Sequence, residues 1–297
     1  MGQNGHLADD QHMNTTAVDI ASLHRATTDG TLELMYQPEV DLDSGAIVAM
    51  EGLIRWHHGS LGVLGPSDFL ELAIRSGDIS PIGEWVLRTG AAEAAAWRGL
   101  RGPSRQLWLN VSPEQLRADG FDELVASVVA EHQLPAGALG LEVTERTILD
   151  LGREALPILV ALRGAGVSIA VDDFTSYYAT LGAIEALPVD CVKLGHRYVR
   201  GVGDEDHDDS FVTSVIERAH ARGLYVVAEG VETWSESARL TELGCDRAHG
   251  WLFASAQRAD KARWLLTQGT GWRGWVVAKD IVDAATPPVP SPRVNAH

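Results

Sequence analysis

The chain is poor in cysteine and has no long apolar run. Its two cysteines, Cys191 and Cys245, are too few for a disulfide framework or a zinc site, so we expect both to be small buried apolar side chains. No stretch reaches the roughly 18 apolar residues that a membrane span requires. The N-terminus, MGQNGHLADDQH, lacks the basic start and apolar stretch of a signal peptide. These absences predict a soluble protein with no membrane partner, located in the reducing cytoplasm.

Positive charge is scarce as well. The formal net charge of -17 argues against binding to a nucleic-acid polymer or an anionic membrane, because both need a basic surface that displaces counterions. Binding of an anionic small molecule is still compatible with this net charge if bound cations make the binding site positive. Arginine supplies most of the basic residues, and the lysines are Lys193, Lys261 and Lys279.

The 297 residues alternate apolar, strand-like segments with helical patterns, which favours a single α/β barrel with short ends. The turn DLDSGA is short enough to make the first two strands an antiparallel hairpin. We predict a flexible N-terminus over 1–16, a barrel over 17–262, a tryptophan-containing extension over 263–285 and a proline-rich disordered tail over 286–297. The predicted strands are 32–40, 47–56, 106–111, 139–145, 167–173, 190–195, 224–229 and 247–253, and the helices after the hairpin include 67–75, 81–98, 113–131, 153–164, 178–186, 208–221 and 234–243.

Polar or charged side chains stand at or near the ends of the apolar segments. In a parallel barrel the carboxyl ends of all strands converge on one rim, so these side chains are expected to meet although they lie far apart in the sequence. They are Glu51, Asn110, Glu142, Asp172, Asp173, Lys193 and Glu229. An alternative is that each acid merely caps the helix after its strand. That alternative is poor for the whole set, because crowded carboxylates repel one another unless cations compensate.

Oxygen ligands without cysteine or histidine favour Mg²⁺ or Mn²⁺ over zinc. Two such ions about 3.5 to 4 Å apart can hold a phosphodiester and activate a water molecule. The expected metal ligands are Glu51, Asn110, Glu142, Asp172, Asp173 and Glu229. Lys193, Glu229 and Asp172 are the candidate catalytic residues, with Lys193 placing a positive charge where negative charge develops.

Eight segments carry a family resemblance: YQPEVDL, EGLIRW, LNVSPEQL, LEVTE, VDDF, LPVDCVKL, VVAEGVET and GCDRAHGWLF, in this order. Together they resemble the EAL domain family of cyclic di-GMP phosphodiesterases over about residues 18 to 262. The resemblance implies a modified TIM-type (β/α)8 barrel whose first strand runs antiparallel to the rest. It also implies hydrolysis of cyclic di-GMP to linear pGpG with two Mg²⁺ or Mn²⁺ ions, which would control the level of a bacterial second messenger.

The same resemblance implies roles for individual residues. Glu51, Asn110, Glu142 and Asp172 match ligands of the first ion, Asp173 and Glu229 match the second-ion and water-activating positions, and Lys193 matches the catalytic lysine. Gln37, Leu53 and Arg55 match substrate-binding positions, and a guanidinium such as that of Arg55 can hold a phosphate in bidentate fashion. Glu145 and Glu232 match acids that support a neighbouring loop and the metal ligands, and His249 stands near the last strand, where it can donate a hydrogen bond to the site.

The sequence departs from the family pattern at several positions. Gly52 stands where alanine is usual, Gly195 where aspartate is usual, and His249 where glutamine is usual. Thr175 and Tyr177 replace two glycines in the loop after the paired aspartates. If either glycine position requires a positive φ, the replacement costs on the order of 1 to 3 kcal/mol or forces another path. This loop positions Asp173 in the family and contacts a partner subunit, so both turnover and a homodimer through the region after Asp173 depend on it.

Three hypotheses follow. The first is a metal-dependent phosphodiesterase acting on cyclic di-GMP. The second is a catalytically weak EAL module that acts as a cyclic di-GMP receptor or a protein-interaction domain. The third is an enolase-like barrel that uses Lys193 as a base, which ranks far behind because that class normally carries a large capping domain.

Overall fold

The structure is a computed structural model that describes residues 18–100, 105–175, 187–204 and 207–267. The predicted segments 1–16 and 286–297, most of the predicted extension over 263–285, and the predicted helix 178–186 lie outside the described residues. Tyr177 lies outside them as well.

The described strands belong to one sheet. They are β1 (Leu32–Asp41), β2 (Ile47–His58), β3 (Gly62–Leu64), β4 (Gln106–Asn110), β5 (Leu139–Thr144), β6 (Ser168–Phe174), β7 (Cys191–Leu194), β8 (Tyr225–Ala228) and β9 (Arg247–His249). The strand order is β1-β9-β8-β7-β6-β5-β4-β2-β3, and an additional pairing of β1 with β2 closes the sheet. The short β3 pairs with β2 beside the closed barrel of eight strands.

The first strand runs against its neighbours. β1 pairs antiparallel with both β2 and β9, whereas β2 and the strands from β4 to β9 pair parallel around the barrel. The prediction of a modified TIM-type (β/α)8 barrel with an antiparallel first strand is therefore confirmed. The tight connection between β1 and β2 requires this arrangement, because a parallel pair needs a long crossover.

The described helices follow the predicted pattern in most places. They are Ile20–Arg25, Pro66–Ser76, Ile79–Trp97, Pro113–Arg117, Phe121–Glu131, Glu145–Leu151, Ala155–Gly164, His196–Val199, Ser210–His220, Trp234–Glu242 and Ala259–Thr267. Ser112 and Thr233 each begin a helix with a capping box, as their spacing predicts. None of the helices within these described ranges combines the length and apolar character that crossing a bilayer requires.

Some element boundaries differ from the sequence prediction. The predicted helix 113–131 is divided into two, because the chain passes through Gly120 in a left-handed conformation with φ +80°. The last strand ends at His249 rather than at residue 253, because the chain turns after it and the backbone N–H of Phe253 donates to the carbonyl of Gly250 at 3.1 Å. Neither β3 nor the helix Glu145–Leu151 was predicted.

The final described helix crosses the predicted end of the barrel. The predicted boundary between residues 262 and 263 falls inside Ala259–Thr267, which contains Trp264. Leu265 and Leu266 of this helix are buried in the main core. The helix therefore packs against the barrel.

The apolar core has two parts. A large cluster fills the space between the barrel and its helices, and a small cluster lies apart from it. The small cluster, here called the barrel plug, consists of Ala49, Trp108, Ala170, Cys191 and Val227, all with no exposed surface. Both cysteines are free and buried, as their scarcity predicted.

Gly140 provides a test of the packing of the plug. A Cβ atom added at Gly140 would lie 2.2 Å from the indole ring of Trp108, so Gly140→Ala should lower the free energy of unfolding by about 1 to 3 kcal/mol. Gly164→Ala is the matched control, because its Cβ would meet no atom within 4 Å. The control should be neutral or stabilise by about 0.4 to 1 kcal/mol. Urea denaturation of both variants measures the difference, and equal stability would contradict this packing.

Candidate active site

The mouth of the barrel lies directly above the barrel plug. Successive side chains of a strand point to opposite faces, so residues two apart share a face. Each plug residue is followed two positions later by a residue of the expected site: Ala49 by Glu51, Trp108 by Asn110, Ala170 by Asp172, Cys191 by Lys193, and Val227 by Glu229. The strand alternation thus places the polar layer on the inner face of the barrel, one layer above the plug.

Lys193 is the centre of this polar layer. Its side chain has no exposed surface, and its ammonium contacts Oε1 of Glu142. The same ammonium lies 3.6 Å from Oε1 of Glu229 and 3.8 Å from Oε2 of Glu51. Because these three acids come from β5, from the end of β8 and from β2, one buried cation joins segments that are far apart in the sequence.

Burial shifts the protonation equilibria of these groups. Burial raises the pKa of Glu142 well above its usual value, although the charge of Lys193 opposes this shift. Burial and then the charge of Glu229 raise the pKa of Asp172 to about 7. Burial by itself would lower the pKa of Lys193, but the charges of Glu142, Glu51 and Glu229 hold it well above its usual value. The carboxylates are therefore crowded beyond what a single ammonium compensates.

Two further polar side chains face the same acids. Asn110 donates from Nδ2 to Oε1 of Glu51 at 2.9 Å. Nε2 of His249 lies 3.0 Å from Oε1 of Glu229 and 3.8 Å from Oε2 of Glu51. Burial would raise the pKa of Glu229, but the hydrogen bond from His249 and the charge of Lys193 outweigh it and lower this pKa to about 2.

Asp173 follows Asp172 near the end of β6. It has a left-handed backbone with φ +48°, a conformation that costs an aspartate less than most residues. A Cβ atom at Gly195 would come within 2.6 Å of Oδ1 of Asp173, so the glycine provides the room for this carboxylate. Among the described residues, no hydrogen bond or ion pair joins the Asp173 side chain to the other acids.

The loop after Asp173 begins without backbone strain at Thr175. Thr175 does not have a positive φ, and both its backbone N–H and its hydroxyl donate to Oε2 of Glu145 at 2.8 Å. The hydroxyl of Tyr198 donates to the carbonyl of Thr175 at 2.8 Å. Glu145 thus holds the start of this loop.

The residues expected to bind substrate lie on the strands next to Glu51. Gln37 stands opposite Glu51 in the β1–β2 pairing and donates from Nε2 to the carbonyl of Ala254 at 3.1 Å. Leu53 and Arg55 follow Glu51 on the same face of β2, and both are half-buried. Nη1 of Arg55 donates to the carbonyl of Ile54 at 2.8 Å.

The sequence analysis gave Glu232 a supporting role and assigned none to Glu236. The Glu232 side chain is exposed, whereas the buried carboxylate of Glu236 accepts the backbone N–H groups of Glu232, Thr233 and Gly201 at 2.8, 2.9 and 3.2 Å. Glu236 therefore holds the loop after β8. The capping-box spacing of Thr233 and Glu236 is the sequence signal that could have found this role.

The oxygen and nitrogen atoms at the barrel mouth fit the ligands of a divalent cation. Oε2 of Glu142 is buried and has no hydrogen-bond partner in the described part of the chain, which leaves a desolvated acceptor facing the cluster. Oxygen atoms from Glu51 and Glu229 and a ring nitrogen from His249 all lie within 4.8 Å of one another. Carboxylates gathered in this way usually hold hard cations.

A comparison with protein families agrees with this geometry. The sequence profile of the EAL domain matches residues 20–256, which is most of the chain. The chain belongs to the EAL domain family. It is also 36% identical over 247 residues to an uncharacterized protein of Mycobacterium tuberculosis, a match that covers 82% of this chain and 40% of that protein.

Solved EAL domains have the same architecture. The MucR phosphodiesterase in complex with c-di-GMP is 31% identical, with a TM-score of 0.77, and the match covers 82% of this chain and 98% of that one. The EAL domain of DcpA from Mycobacterium smegmatis is 36% identical, with a TM-score of 0.68, and the match covers 80% of this chain and 98% of that one. MucR itself is a bifunctional diguanylate cyclase/cyclic di-GMP phosphodiesterase of Pseudomonas aeruginosa, and this chain spans 38% of its length.

Gly52 in the EAL signature has a packing explanation. A Cβ atom at this position would lie 2.7 Å from Cδ2 of Leu109 and 3.4 Å from the carbonyl oxygen of Trp108. Glycine therefore lets β4 approach β2 closely at the level of Glu51. The departure from alanine affects packing behind the site and leaves its charged groups unchanged.

Replacement of Lys193 tests the buried ion cluster. Lys193→Met should lower the free energy of unfolding by about 3 to 5 kcal/mol without added metal, because it leaves the Glu142 carboxylate buried and unpaired. Lys261→Met, which replaces a half-exposed lysine, should change it by less than about 0.5 kcal/mol. Adding Glu142→Gln to Lys193→Met should restore part of the loss. Urea denaturation in the presence of a chelator measures all three variants, and equal values for the two lysine variants would refute the central role of Lys193.

Proposed function

We propose that this EAL domain hydrolyses one phosphodiester bond of cyclic di-GMP, gives linear pGpG, and uses two Mg²⁺ or Mn²⁺ ions. The observation that supports this most strongly is the buried Lys193 ammonium surrounded by Glu51, Glu142 and Glu229. A site that only binds a ligand has little need for such an expensive cluster, since each buried charge costs several kcal/mol in desolvation. The 31% identity to MucR, a phosphodiesterase whose structure contains c-di-GMP, supports the same substrate.

The residues at the mouth would have different roles. Glu51, Asn110, Glu142 and Asp172 would hold the first cation, and Glu229 with Asp173 would hold the second. Bound cations of this kind neutralise phosphate charge and make a water molecule more acidic. Lys193 keeps a fixed positive charge beside the acids, where negative charge develops on the phosphate during hydrolysis.

Residues of β1 and β2 would position the substrate. Arg55 has five N–H donors, of which one donates to the carbonyl of Ile54, so its guanidinium retains donors for a phosphate oxygen. Gln37 fixes the loop at Ala254 to β1, and Leu53 supplies an apolar surface between Glu51 and Arg55 for a guanine base.

The second candidate function is a receptor that binds cyclic di-GMP with little turnover. The altered loop after Asp173 favours this alternative, because the family uses that loop to position Asp173 and both of its glycines are replaced here, by Thr175 and Tyr177. If Asp173 cannot reach the second cation, substrate binds but hydrolysis is slow. A homodimer through the region after Asp173 also stays a proposal, because residues 176–186 lie outside the described part of the chain.

A product assay tests the proposed function. Purified protein incubated with cyclic di-GMP and Mg²⁺ or Mn²⁺ should release pGpG, which chromatography detects. Glu51→Gln should lower kcat by at least about 100-fold, because it removes a charged ligand and disturbs the Asn110 contact. Glu71→Gln is the control, since Glu71 is an exposed helix residue paired with Arg75, and it should hydrolyse like wild type. Tight binding of cyclic di-GMP without pGpG would support the receptor instead.

Variants of Thr175 test whether the altered loop limits turnover. Thr175→Gly should not increase kcat, because Thr175 has no positive φ to relieve and its hydroxyl donates to Glu145. The loss of this hydrogen bond should instead lower the free energy of unfolding by about 0.5 to 1.5 kcal/mol. Thr175→Ser keeps the hydroxyl and serves as the control. Faster turnover in Thr175→Gly than in both Thr175→Ser and wild type would show that threonine does restrict the loop.

A further inference from the structure

The barrel mouth contains one imidazole among its carboxylates. His249 ends β9, and its Nε2 lies 3.0 Å from Oε1 of Glu229 and 3.8 Å from Oε2 of Glu51. Two ligands about 2.1 Å from a tetrahedral ion lie about 3.4 Å from each other. The two observed distances bracket that value, and the three ligand atoms all lie within 4.8 Å of one another, so small movements of the side chains would place Glu51, Glu229 and His249 around one ion.

Neighbouring groups independently indicate that this site lacks positive charge. Glu142 has 1% of its surface exposed, and its Oε2 has no hydrogen-bond partner in the described ranges. Glu51, Glu142, Asp172 and Glu229 carry up to four negative charges, against the ammonium of Lys193 and, when it is protonated, the imidazolium of His249. A bound cation would stabilise this buried acceptor, which has no hydrogen-bond partner, and would compensate the surplus of negative charge beside it.

We infer that Glu51, Glu229 and His249 form a mixed nitrogen and oxygen site that selects a borderline transition-metal ion, such as Zn²⁺ or Co²⁺, over Mg²⁺. Imidazole binds these ions well, whereas Mg²⁺ prefers a shell of oxygen atoms and waters. The inference rests on the proposed cation-binding role of the barrel mouth. With Zn²⁺ or Co²⁺, Glu51 and Glu229 would share one ion with His249, whereas with Mg²⁺ or Mn²⁺ they would hold the two separate ions proposed above.

Binding at this site requires Nε2 of His249 to give up its proton. In the hydrogen bond to the ionised Glu229, Nε2 is the donor. A metal ion at Nε2 would replace that proton, which moves to Nδ1 when the ring is neutral and passes to solvent when both ring nitrogens are protonated. Nδ1 of His249 is buried and has no partner among the described residues, so Nδ1 can carry the ring proton once Nε2 is bound to the ion. The two carboxylates then balance the two positive charges of the ion.

Metal-binding measurements on the full chain test this inference. After removal of metals with a chelator, wild-type protein should bind Zn²⁺ and Co²⁺ in calorimetric titrations, and His249→Gln should weaken both by at least about 10-fold. Mg²⁺ affinity should change by less than about 3-fold, since an amide oxygen suits that ion. His220→Gln is the matched control, because His220 pairs with Asp246 at the surface, and it should bind all three ions like wild type.

A spectroscopic measurement on unaltered protein avoids dependence on the folding of the variant. The spin-echo signal of bound Cu²⁺ should show a histidine nitrogen coupling that changes when histidine alone is labelled with ¹⁵N. The absence of that coupling, or equal Zn²⁺ affinity in wild type and His249→Gln, would overturn the inference.

The outcomes separate this inference from the proposed function. Zn²⁺ binding through His249 without pGpG release in Mg²⁺, Mn²⁺ or Zn²⁺ would support the mixed site and reject the phosphodiesterase. Release of pGpG with Mg²⁺ together with unchanged Zn²⁺ affinity in His249→Gln would support the phosphodiesterase and reject the mixed site.

Discussion

A single buried ammonium organises the mouth of the barrel. Lys193 has no exposed surface and lies within 4 Å of carboxylates from Glu142, Glu229 and Glu51. Without it, these acids would be buried like charges, which a folded protein tolerates only by protonating them or binding cations. Their positions depend on Lys193, and the surplus of negative charge that remains is what makes the mouth suitable for metal ions.

The barrel plug and the polar layer are coupled through the strands. Every plug residue shares an inward face with a residue of the polar layer two positions later, so a shift in the register of one strand would displace both together. Glycines permit this arrangement where space is short: Gly140 leaves room for Trp108, and Gly52 leaves room for Leu109. Packing below the site therefore fixes the positions of the charges above it.

Much of the fold and part of the site were predictable from the sequence. The strands ended near the expected residues, because apolar segments and capping patterns are local signals. The division of helix 113–131 at Gly120 was missed, because a glycine within a periodic segment does not by itself reveal a break. Strain at Thr175 was expected only if its position required a positive φ, and the left-handed residue is instead Asp173. Backbone conformation in such a loop depends on contacts with Glu145 and Tyr198, which no local pattern contains.

The sequence by itself determined that these polar residues end on one rim of the barrel, because strand alternation and the direction of parallel strands follow from local patterns. Only the tertiary structure decided which atoms meet. Closure of the sheet brings Nε2 of His249 to Glu229 and the ammonium of Lys193 to Glu142, and the missing Cβ at Gly195 leaves room for the carboxylate of Asp173. These contacts join segments far apart in the chain, and side-chain direction at the end of a strand depends on neighbours that the sequence order does not place together.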